Sequence, residues 1–314
     1  MVDSIIEYSN VHPKHIGILN SRKKKNLDAP ILVTTHSGFQ KNWKDFQGKY
    51  TQMVYDECDY NLSFPYFREF EKCMSTWLIM SDVDIIRWLS GTQYRDASGT
   101  EVITEMFWDI ISAPNQENYG YNIIPEIRYK RYNQAFWYVF ETWHELRQEI
   151  MKDEKRARYQ NAYVVNNMRR YNLVLMKNII DTENMYEQLK KQDAYIKNIV
   201  LIHWQLPNKI LKENLAKIKR RSRRWMDFII VATIDKFWRG IDIPIVDTLF
   251  LLSPIRFQWT VVQAVWRALR NHKDKKDVVL FDWQDYPMLK KQAAERIKAY
   301  KKEYWKDVLI TEIE

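Results

Sequence analysis

The sequence predicts an α/β protein with parallel sheets. Short apolar runs alternate with segments of helical pattern, as in Ile199–His203, the helix expected from Asn208 to Lys219, and Phe228–Ala232. This alternation is typical of parallel strands joined by right-handed helical crossovers. Polar and charged residues follow several of the apolar runs directly. Because ligands bind at the carboxyl ends of such strands, we expect the functional residues to lie there.

The individual elements follow from apolar pattern and capping signals. Strands are predicted at Ala29–Thr35, Gln52–Asp56, Asn172–Met176, Ile199–His203, Phe228–Ala232 and Thr248–Leu252. Helices are predicted from about Thr182 to Lys191 with Thr182 or Asp181 as the N-cap, from Asn208 to Lys219, and at the end of the chain to about Tyr304. The basic run Lys217–Arg224 is open to two interpretations, a solvated helix end or a contact to phosphates.

Composition and charge set broad limits. With 314 residues the chain is long enough for two domains with cores of their own. Its formal net charge of +9 favours an anionic partner. Two cysteines, Cys58 and Cys73, do not suggest a disulfide framework and fit a reducing compartment. No apolar run approaches the length of a membrane span, so we expect a cytoplasmic protein without membrane insertion.

The segment Phe228–Arg270 carries the densest functional signal. Thr233 follows an apolar strand, and the turn from Arg239 to Pro244 contains Gly240 and Asp242. Farther on, Gln263, Arg267 and Arg270 are spaced by four and three residues, which places them on one face of a helix. Two arginines so placed suit the charge that develops on a transferring phosphoryl group.

Three shorter patterns lie nearer the amino terminus. The strand at 52–56 ends in the adjacent carboxylates Asp56 and Glu57, the kind of pair that can hold Mg²⁺ and orient a water molecule. The run Leu89-Ser90-Gly91-Thr92 comes later. The strand before His36 ends in Thr34 and Thr35, which are either phosphate-binding hydroxyls or an ordinary turn.

Taken together, these patterns resemble motifs Ib, II, III, V and VI of the superfamily 2 DEAD/DEAH-box-like helicases. The resemblance covers roughly residues 28 to 305 and departs from the family pattern at Trp266, where motif VI has glycine. It implies two RecA-like domains, the first one N-terminally truncated, joined by a helical segment. The implied boundaries are a partial first domain at 1–112, a linker and helical segment at 113–170, a second domain at 171–285, and a helical tail at 286–314.

The resemblance also implies a mechanism and its residues. ATP would bind between the two domains, with Mg²⁺ on Asp56, the attacking water on Glu57, and Arg267 and Arg270 as arginine fingers. Gln263 would sense the nucleotide, and Gly240 and Asp242 would belong to the nucleotide-binding loop. Ser90 and Thr92 would couple the ATP site to the nucleic-acid site. Thr35 and Thr233 would bind nucleic-acid phosphates. DNA is favoured over RNA as the partner.

Two departures from the family complicate this interpretation. The sequence contains no P-loop, G-x4-GK-[ST], so we expect the chain to begin after motifs I and Ia and to be inactive as an ATPase by itself. A P-loop segment or a restriction or repair complex is then an expected partner. The alternative is a helicase remnant that binds nucleic acid without catalysis.

Tryptophan and glycine usage is the second departure. The chain has 13 Trp but only 7 Gly in 314 residues, about 2%, whereas glycine averages about 7%. The family pattern has glycine at or near Trp88, Trp108, Trp204, Trp238, Trp259 and Trp266. We hypothesise that these are glycines misread from UGA codons. A chain that is truly rich in tryptophan, with core or stacking aromatics, is the alternative.

The region between the two expected domains carries the weakest pattern. Residues 114–130 contain turn signals and are expected to be a linker, and 133–170 are expected to be helical. This helical segment could pack on one of the domains, or it could present an aromatic and basic surface to single strands.

Overall fold

The structure is a computed structural model in which the chain divides into two compact units, Met1–Ser112 and Ala113–Glu314. The residues that it describes are 2–20, 23–56, 83–89, 123–133, 140–192, 198–235, 243–255, 265, 268, 270, 272, 274–303 and 308–313. All statements below concern these residues.

The first unit contains seven regular elements in its described part. Helix α1 spans Val2–Tyr8 and α2 spans His36–Asn42, and the strands are β1 (Ile16–Asn20), β2 (Lys23–Lys25), β3 (Ile31–Thr34), β4 (Gln52–Asp56) and β5 (Ile85–Leu89). Two short 3-10 turns lie at Pro13–His15 and Trp43–Phe46. The strands form a sheet of order β2-β1-β3 and the pair β4-β5. The pairs β1–β3 and β4–β5 are parallel, as expected, and β2 is antiparallel to β1.

The second unit is built on a seven-stranded sheet of order β12-β6-β11-β10-β7-β9-β8. Its strands are β6 (Glu126–Asn133), β7 (Tyr171–Met176), β8 (Ile199–Ile202), β9 (Phe228–Thr233), β10 (Thr248–Leu251), β11 (Val279–Tyr286) and β12 (Ile310–Glu312). Its helices are α3 (Trp143–Lys152), α4 (Glu154–Asn167), α5 (Ile179–Lys191), α6 (Asn208–Arg223) and α7 (Lys290–Glu303). Every neighbouring pair of strands is parallel.

Burial on both faces explains why the central strands are so apolar. All six residues of β7 and all six of β9 are buried, which is the pattern of parallel strands covered by helices on each side. One core includes Ile218 of α6 and Tyr300 of α7, and the other includes Val164 of α4 and Leu189 of α5. The expectation of an α/β parallel sheet is confirmed.

The segment expected to be a linker provides a strand instead. Residues 126–133 form β6, which lies between β11 and β12 and pairs with β11 over eight residues. The sequence of β6, EIRYKRYN, is polar because most of its residues are only half-buried and Ile127 alone is fully covered. Hydrophobic pattern therefore could not reveal it, since its place in the sheet depends on two partners far away along the chain.

Helices α5 and α6 have boundaries other than the expected ones, and the tail expected to be helical over 286–314 also contains strand β12. Helix α5 begins at Ile179 with Asn178 as the N-cap, rather than at Thr182 or Asp181. The Thr182 hydroxyl donates a hydrogen bond to the Asn178 carbonyl within the first turn, which is a common use of a buried threonine inside a helix. Helix α6 continues four residues beyond Lys219 to Arg223.

The end of α6 holds an unusual tryptophan. Trp225 has a φ of +56°, and its amide donates to the Ser222 carbonyl while the Met226 amide donates to the Arg221 carbonyl. These two hydrogen bonds define a Schellman motif with Trp225 at the left-handed position that glycine normally takes. The sequence argument about tryptophans at glycine positions did not include this residue.

Candidate functional site

Strand register brings several polar residues to the carboxyl edge of the seven-stranded sheet. Met176 lies opposite Thr233, Ile202 opposite Ala232, and Leu175 opposite Leu251. Strands β7, β8, β9 and β10 therefore end at nearly the same level. The residues that follow these strands are the candidate ligand-binding groups of this unit.

Thr233 is the predicted site residue that the structure places most clearly. It is the last residue of β9 and only 1% exposed. Its Oγ1 atom is buried and has no hydrogen-bond partner among the described residues. A buried hydroxyl without a partner costs free energy, so Thr233 is a notable residue of this edge.

Lys177, Asp235 and Ser253 form a polar cluster beside Thr233. The backbone amide of Lys177 donates to Ser253 Oγ at 3.0 Å. Its ammonium lies 3.1 Å from Oδ1 and 3.0 Å from Oδ2 of Asp235. None of these three residues belongs to the motifs that the sequence indicated. Their common position, directly after three apolar strands, was the signal that could have identified them.

A buried arginine fixes the end of β10. Arg156 of α4 is 1% exposed and pairs with Asp285, with Nε 2.6 Å from Oδ1 and Nη2 3.0 Å from Oδ2. Nη2 also donates to the Leu252 carbonyl at 2.9 Å, and Gln160 donates to the same carbonyl at 2.6 Å. Because both charges are hydrogen-bonded, the pair holds Leu252 and the adjacent Ser253 in place at the edge.

The segment that carries motif VI is described only in part. Val265 and Ala268 are helical and fully buried. Their spacing of three residues places both on one face of the predicted helix, opposite to the face expected for the arginines. Arg270 is already in the bend that follows. Gln263 and Arg267 lie outside the described residues, as do Gly240 and Asp242 of motif V.

Lys275 connects this segment to the end of motif V. Its Nζ atom donates to the carbonyls of Pro244 and Ala268, each at 2.6 Å, and to that of Arg270. Three carbonyls match the three hydrogens of a lysine ammonium. Lys275 thus fixes the backbone next to the predicted arginine fingers, a role that its sequence context did not indicate.

His203 lies at the same edge, directly after β8. It is buried, and its Nε2 atom lies 3.2 Å from Oε1 of Glu183. Burial lowers the pKa of the imidazole, and the Glu183 carboxylate counteracts part of that shift. At neutral pH the imidazole ring at this edge is therefore uncharged.

In the first unit, motifs II and III reach a common edge. Strands β4 and β5 are parallel, and Asp56 lies opposite Leu89 in their register. Asp56, the last residue of β4, is the one described residue assigned to Mg²⁺, and a carboxylate oxygen is the ligand type that this ion prefers. Glu57, Ser90 and Thr92 follow these strand ends and lie outside the described residues.

Thr35 caps helix α2. Its Oγ1 atom accepts a hydrogen bond from the Gly38 amide at 3.2 Å, and the residue is exposed. This is the turn interpretation that the sequence left open. It leaves the hydroxyl hydrogen available as a donor, so capping and contact to a phosphate are compatible.

Two features, a metal-binding cluster and a membrane-spanning helix, are not found in the described part of the chain. No cluster of three or more histidine, cysteine, aspartate or glutamate side chains suitable for a metal ion occurs there. Likewise, none of the helices within the described ranges is long and apolar enough to cross a membrane.

Comparisons with known proteins give one distant relative and a set of solved structures with the same fold. No protein-family profile matches the chain. A curated relative, putative helicase 161L of Invertebrate iridescent virus 6, is 22% identical over 317 residues, which cover 96% of this chain and 67% of the viral protein. This similarity is distant.

Solved structures give a clearer match. Dbp5 of S. cerevisiae bound to RNA and ADP BeF3 has a TM-score of 0.63 at 14% identity, covering 99% of this chain and 73% of that one. Mss116p bound to ssRNA and AMP-PNP has a TM-score of 0.60 at 13% identity, covering 96% and 58%. The chain therefore has the fold of the superfamily 2 DEAD-box helicases, which its sequence motifs had indicated.

Proposed function

We propose that the chain is part of a motor that couples ATP hydrolysis to movement on nucleic acid, as a helicase or translocase. The observation that carries this proposal is the carboxyl edge of the second unit. There the hydroxyl of Thr233, which has no described partner, lies beside the Lys177–Asp235 pair. The remaining residues of motifs V and VI follow Thr233 along the chain. The fold, shared with proteins solved in complex with RNA and nucleotides, supports it.

The proposed mechanism assigns each residue a role in binding or charge stabilisation. Mg²⁺, held by Asp56, would neutralise charge on the phosphates, and Glu57 would accept a hydrogen bond from the attacking water. Arg267 and Arg270 would stabilise the negative charge of the transferring phosphoryl group. The other proposed roles are nucleotide sensing by Gln263, contacts to the nucleotide by Gly240 and Asp242, coupling by Ser90 and Thr92, and phosphate contacts by Thr35 and Thr233.

A second candidate function is nucleic-acid binding without catalysis. The absence of a P-loop from the sequence favours it, because P-loop amides and lysine supply much of the binding of the β- and γ-phosphates. In the motor proposal this element has to come from another polypeptide segment. The two candidates share nucleic-acid binding and differ in turnover.

The test begins with binding by the chain as it stands. We expect salt-sensitive binding to fluorescein-labelled single strands or duplexes of DNA or RNA, measured by fluorescence anisotropy. Comparing DNA and RNA of the same sequence identifies the partner. Failure to bind any of these probes at low salt contradicts both candidates.

Turnover then separates the two candidates. The chain alone is expected to show no ATP hydrolysis. If a P-loop-bearing polypeptide encoded beside it restores hydrolysis that DNA or RNA stimulates, the chain is part of a motor. If it binds nucleic acid and hydrolysis stays absent in that mixture, the non-catalytic function is correct.

A further inference from the structure

Helix α6 carries an unusual concentration of positive charge. Eight lysine and arginine side chains lie on the helix or its C-cap, against one carboxylate, Glu213. The cations are Lys209, Lys212, Lys217, Lys219, Arg220, Arg221, Arg223 and Arg224. The buried side of the helix is apolar, with Ile218 in the core and Leu211 and Leu215 packed against it. The charges therefore occupy the remaining circumference.

The cations of α6 are concentrated on one helix and have no counterions among the described residues. Some other exposed cations pair with carboxylates, as in Arg169–Asp277, Arg170–Asp227 and Lys190–Glu187. None of the eight on α6 forms an ion pair or side-chain hydrogen bond with any residue that the structure describes. The helix thus presents its charge unneutralised.

Burial and neighbouring positive charge both disfavour the charged form of two of these side chains. The pKa of Lys217 is lowered, first by burial and then by Arg221 and Arg220. The pKa of Arg221 is lowered by burial and by Arg220. The Nε and Nη1 atoms of Arg221 are buried and have no partner within the described ranges. An anion bound to the exposed neighbours Arg220 and Arg223 would reduce the repulsion between these charges.

The helix dipole accounts for only a small part of this charge. Cations near a helix C-terminus are favourable because the dipole places about half a negative charge there. The C-terminal half of α6 holds six cations, so about five positive charges remain uncompensated by this effect. We name these six residues the α6 cationic surface: Lys217, Lys219, Arg220, Arg221, Arg223 and Arg224.

The α6 cationic surface lies away from the edge that carries Thr233. Helix α6 leads back from the end of β8 to the start of β9 at Phe228, and its end is fixed by the turn at Trp225. Thr233 is at the opposite end of β9, five residues from Phe228. Five residues of strand span roughly 17 Å, so one phosphate group cannot contact both places.

We propose that the α6 cationic surface binds the phosphate backbone of the nucleic acid, as a second contact separate from the carboxyl edge. This inference rests on the proposed function in that the chain binds nucleic acid. Four arginines among six cations suit phosphates, because the guanidinium donates two parallel hydrogen bonds to phosphate oxygens. The contact is made to the backbone, so it does not depend on base sequence.

The test reverses charge on the exposed outer side of the helix. The variant Arg220→Glu/Arg223→Glu is compared with Lys298→Glu/Lys301→Glu, an equal charge change on exposed residues of α7. Binding of a labelled duplex to the whole chain is measured by anisotropy over a range of salt concentrations. The α6 variant is expected to bind about tenfold or more weakly at ~0.1 M salt. The slope of the logarithm of the binding constant against the logarithm of salt concentration should be shallower by about 1.8, since each phosphate contact contributes about 0.9.

A variant with neutral side chains controls for destabilisation of the C-terminal end of α6. Arg220→Gln/Arg223→Gln avoids placing carboxylates at the negative end of the dipole and is expected to lose the same salt slope with an unchanged thermal unfolding midpoint. Equal weakening by the α7 control would mean that only net charge matters and would overturn the proposal. An α6 variant that binds like the parent would overturn it too, and would leave an acidic protein as the better partner for this helix.

The outcomes also separate this inference from the proposed function. If the parent chain binds no nucleic acid, both fail. If the parent binds and the α6 variants are unchanged, only the second contact is wrong. If the α6 variants lose affinity while changes at Thr233 have no effect, the second contact stands and the role of Thr233 is wrong.

Discussion

At the scale of single residues, Trp225 occupies a backbone conformation that costs a tryptophan free energy. Its φ of +56° is in the left-handed region, which disfavours residues with a Cβ atom by about 1–2 kcal/mol. Trp225→Gly removes this strain but loses the contact in which the Arg170 guanidinium lies 5.4 Å from the indole ring. We expect a net gain of about 0.5–1 kcal/mol in the free energy of unfolding, measured by urea denaturation.

A matched control for this prediction is Trp204→Gly. Trp204 is 64% exposed and is not among the described residues with positive φ, so glycine there should give no gain. A stabilised Trp204→Gly together with a destabilised Trp225→Gly would contradict the argument. The codon at Trp225 is an independent check: UGA at this position would extend the misreading hypothesis to a residue outside its original set.

Thr233 tests the carboxyl edge without disturbing the fold. Thr233→Val keeps the β-branched shape in a buried strand and removes a hydroxyl that has no described partner, so stability should be unchanged or slightly higher. If the hydroxyl donates to a phosphate, nucleic-acid affinity should fall roughly tenfold to a hundredfold, since hydrogen bonds to charged groups contribute about 1.5–3 kcal/mol. Anisotropy titration and urea denaturation measure the two quantities.

The same substitution at Thr248 provides the control. The Thr248 hydroxyl donates to Asp247 Oδ1 at 2.8 Å at the start of β10, away from the carboxyl edge. Thr248→Val should therefore lower stability and leave binding intact. The role of Thr233 would be refuted by a Thr233→Val chain that binds like the parent.

At the scale of elements, Lys275 joins the turn after motif V to the end of the motif VI segment. Lys275→Met keeps the length of the side chain but leaves the carbonyls of Pro244, Ala268 and Arg270 without this donor. Each buried acceptor that loses its partner costs about 1–3 kcal/mol, and relaxation recovers part of that. We expect a loss of about 3 kcal/mol in the free energy of unfolding.

The neighbouring Lys276 is exposed and supplies the comparison. Lys276→Met should change stability by less than about 0.5 kcal/mol, as is usual for surface substitutions. If the two variants unfold at the same urea concentration, the ammonium of Lys275 does not hold these segments together.

At the scale of the whole molecule, the proposed motor makes a kinetic prediction that involves residues of both units. In the mixture that contains a P-loop-bearing polypeptide, Glu57→Gln should retain nucleic acid in the presence of ATP while turnover is lost. Arg267→Ala should lower turnover roughly a thousandfold or more, the scale known for arginine fingers. ATPase rates and nucleic-acid retention are the measurements, and near-normal turnover in either variant would contradict its assigned role.

Much of the second unit could be predicted from the sequence. Strands β7, β8, β9 and β10 lie within one residue of their expected ends, because parallel strands covered on both faces are nearly continuous apolar runs. The position of Thr233 at a strand end followed from the same pattern. Strand β6 did not, since its half-buried, charged sequence resembles a surface segment and only its neighbours β11 and β12 make it a strand.

The sequence by itself determined the α/β class, the order of the motifs and the family that they resemble, because these depend on local apolar periodicity and short-range spacing. Tertiary structure decided which distant groups meet. Arg156 and Asp285 are 129 positions apart yet form a buried ion pair, and Lys275 binds carbonyls of two segments, one at Pro244 and one at Ala268 and Arg270. Such contacts are absent from local pattern because folding, and not spacing along the chain, brings the partners together.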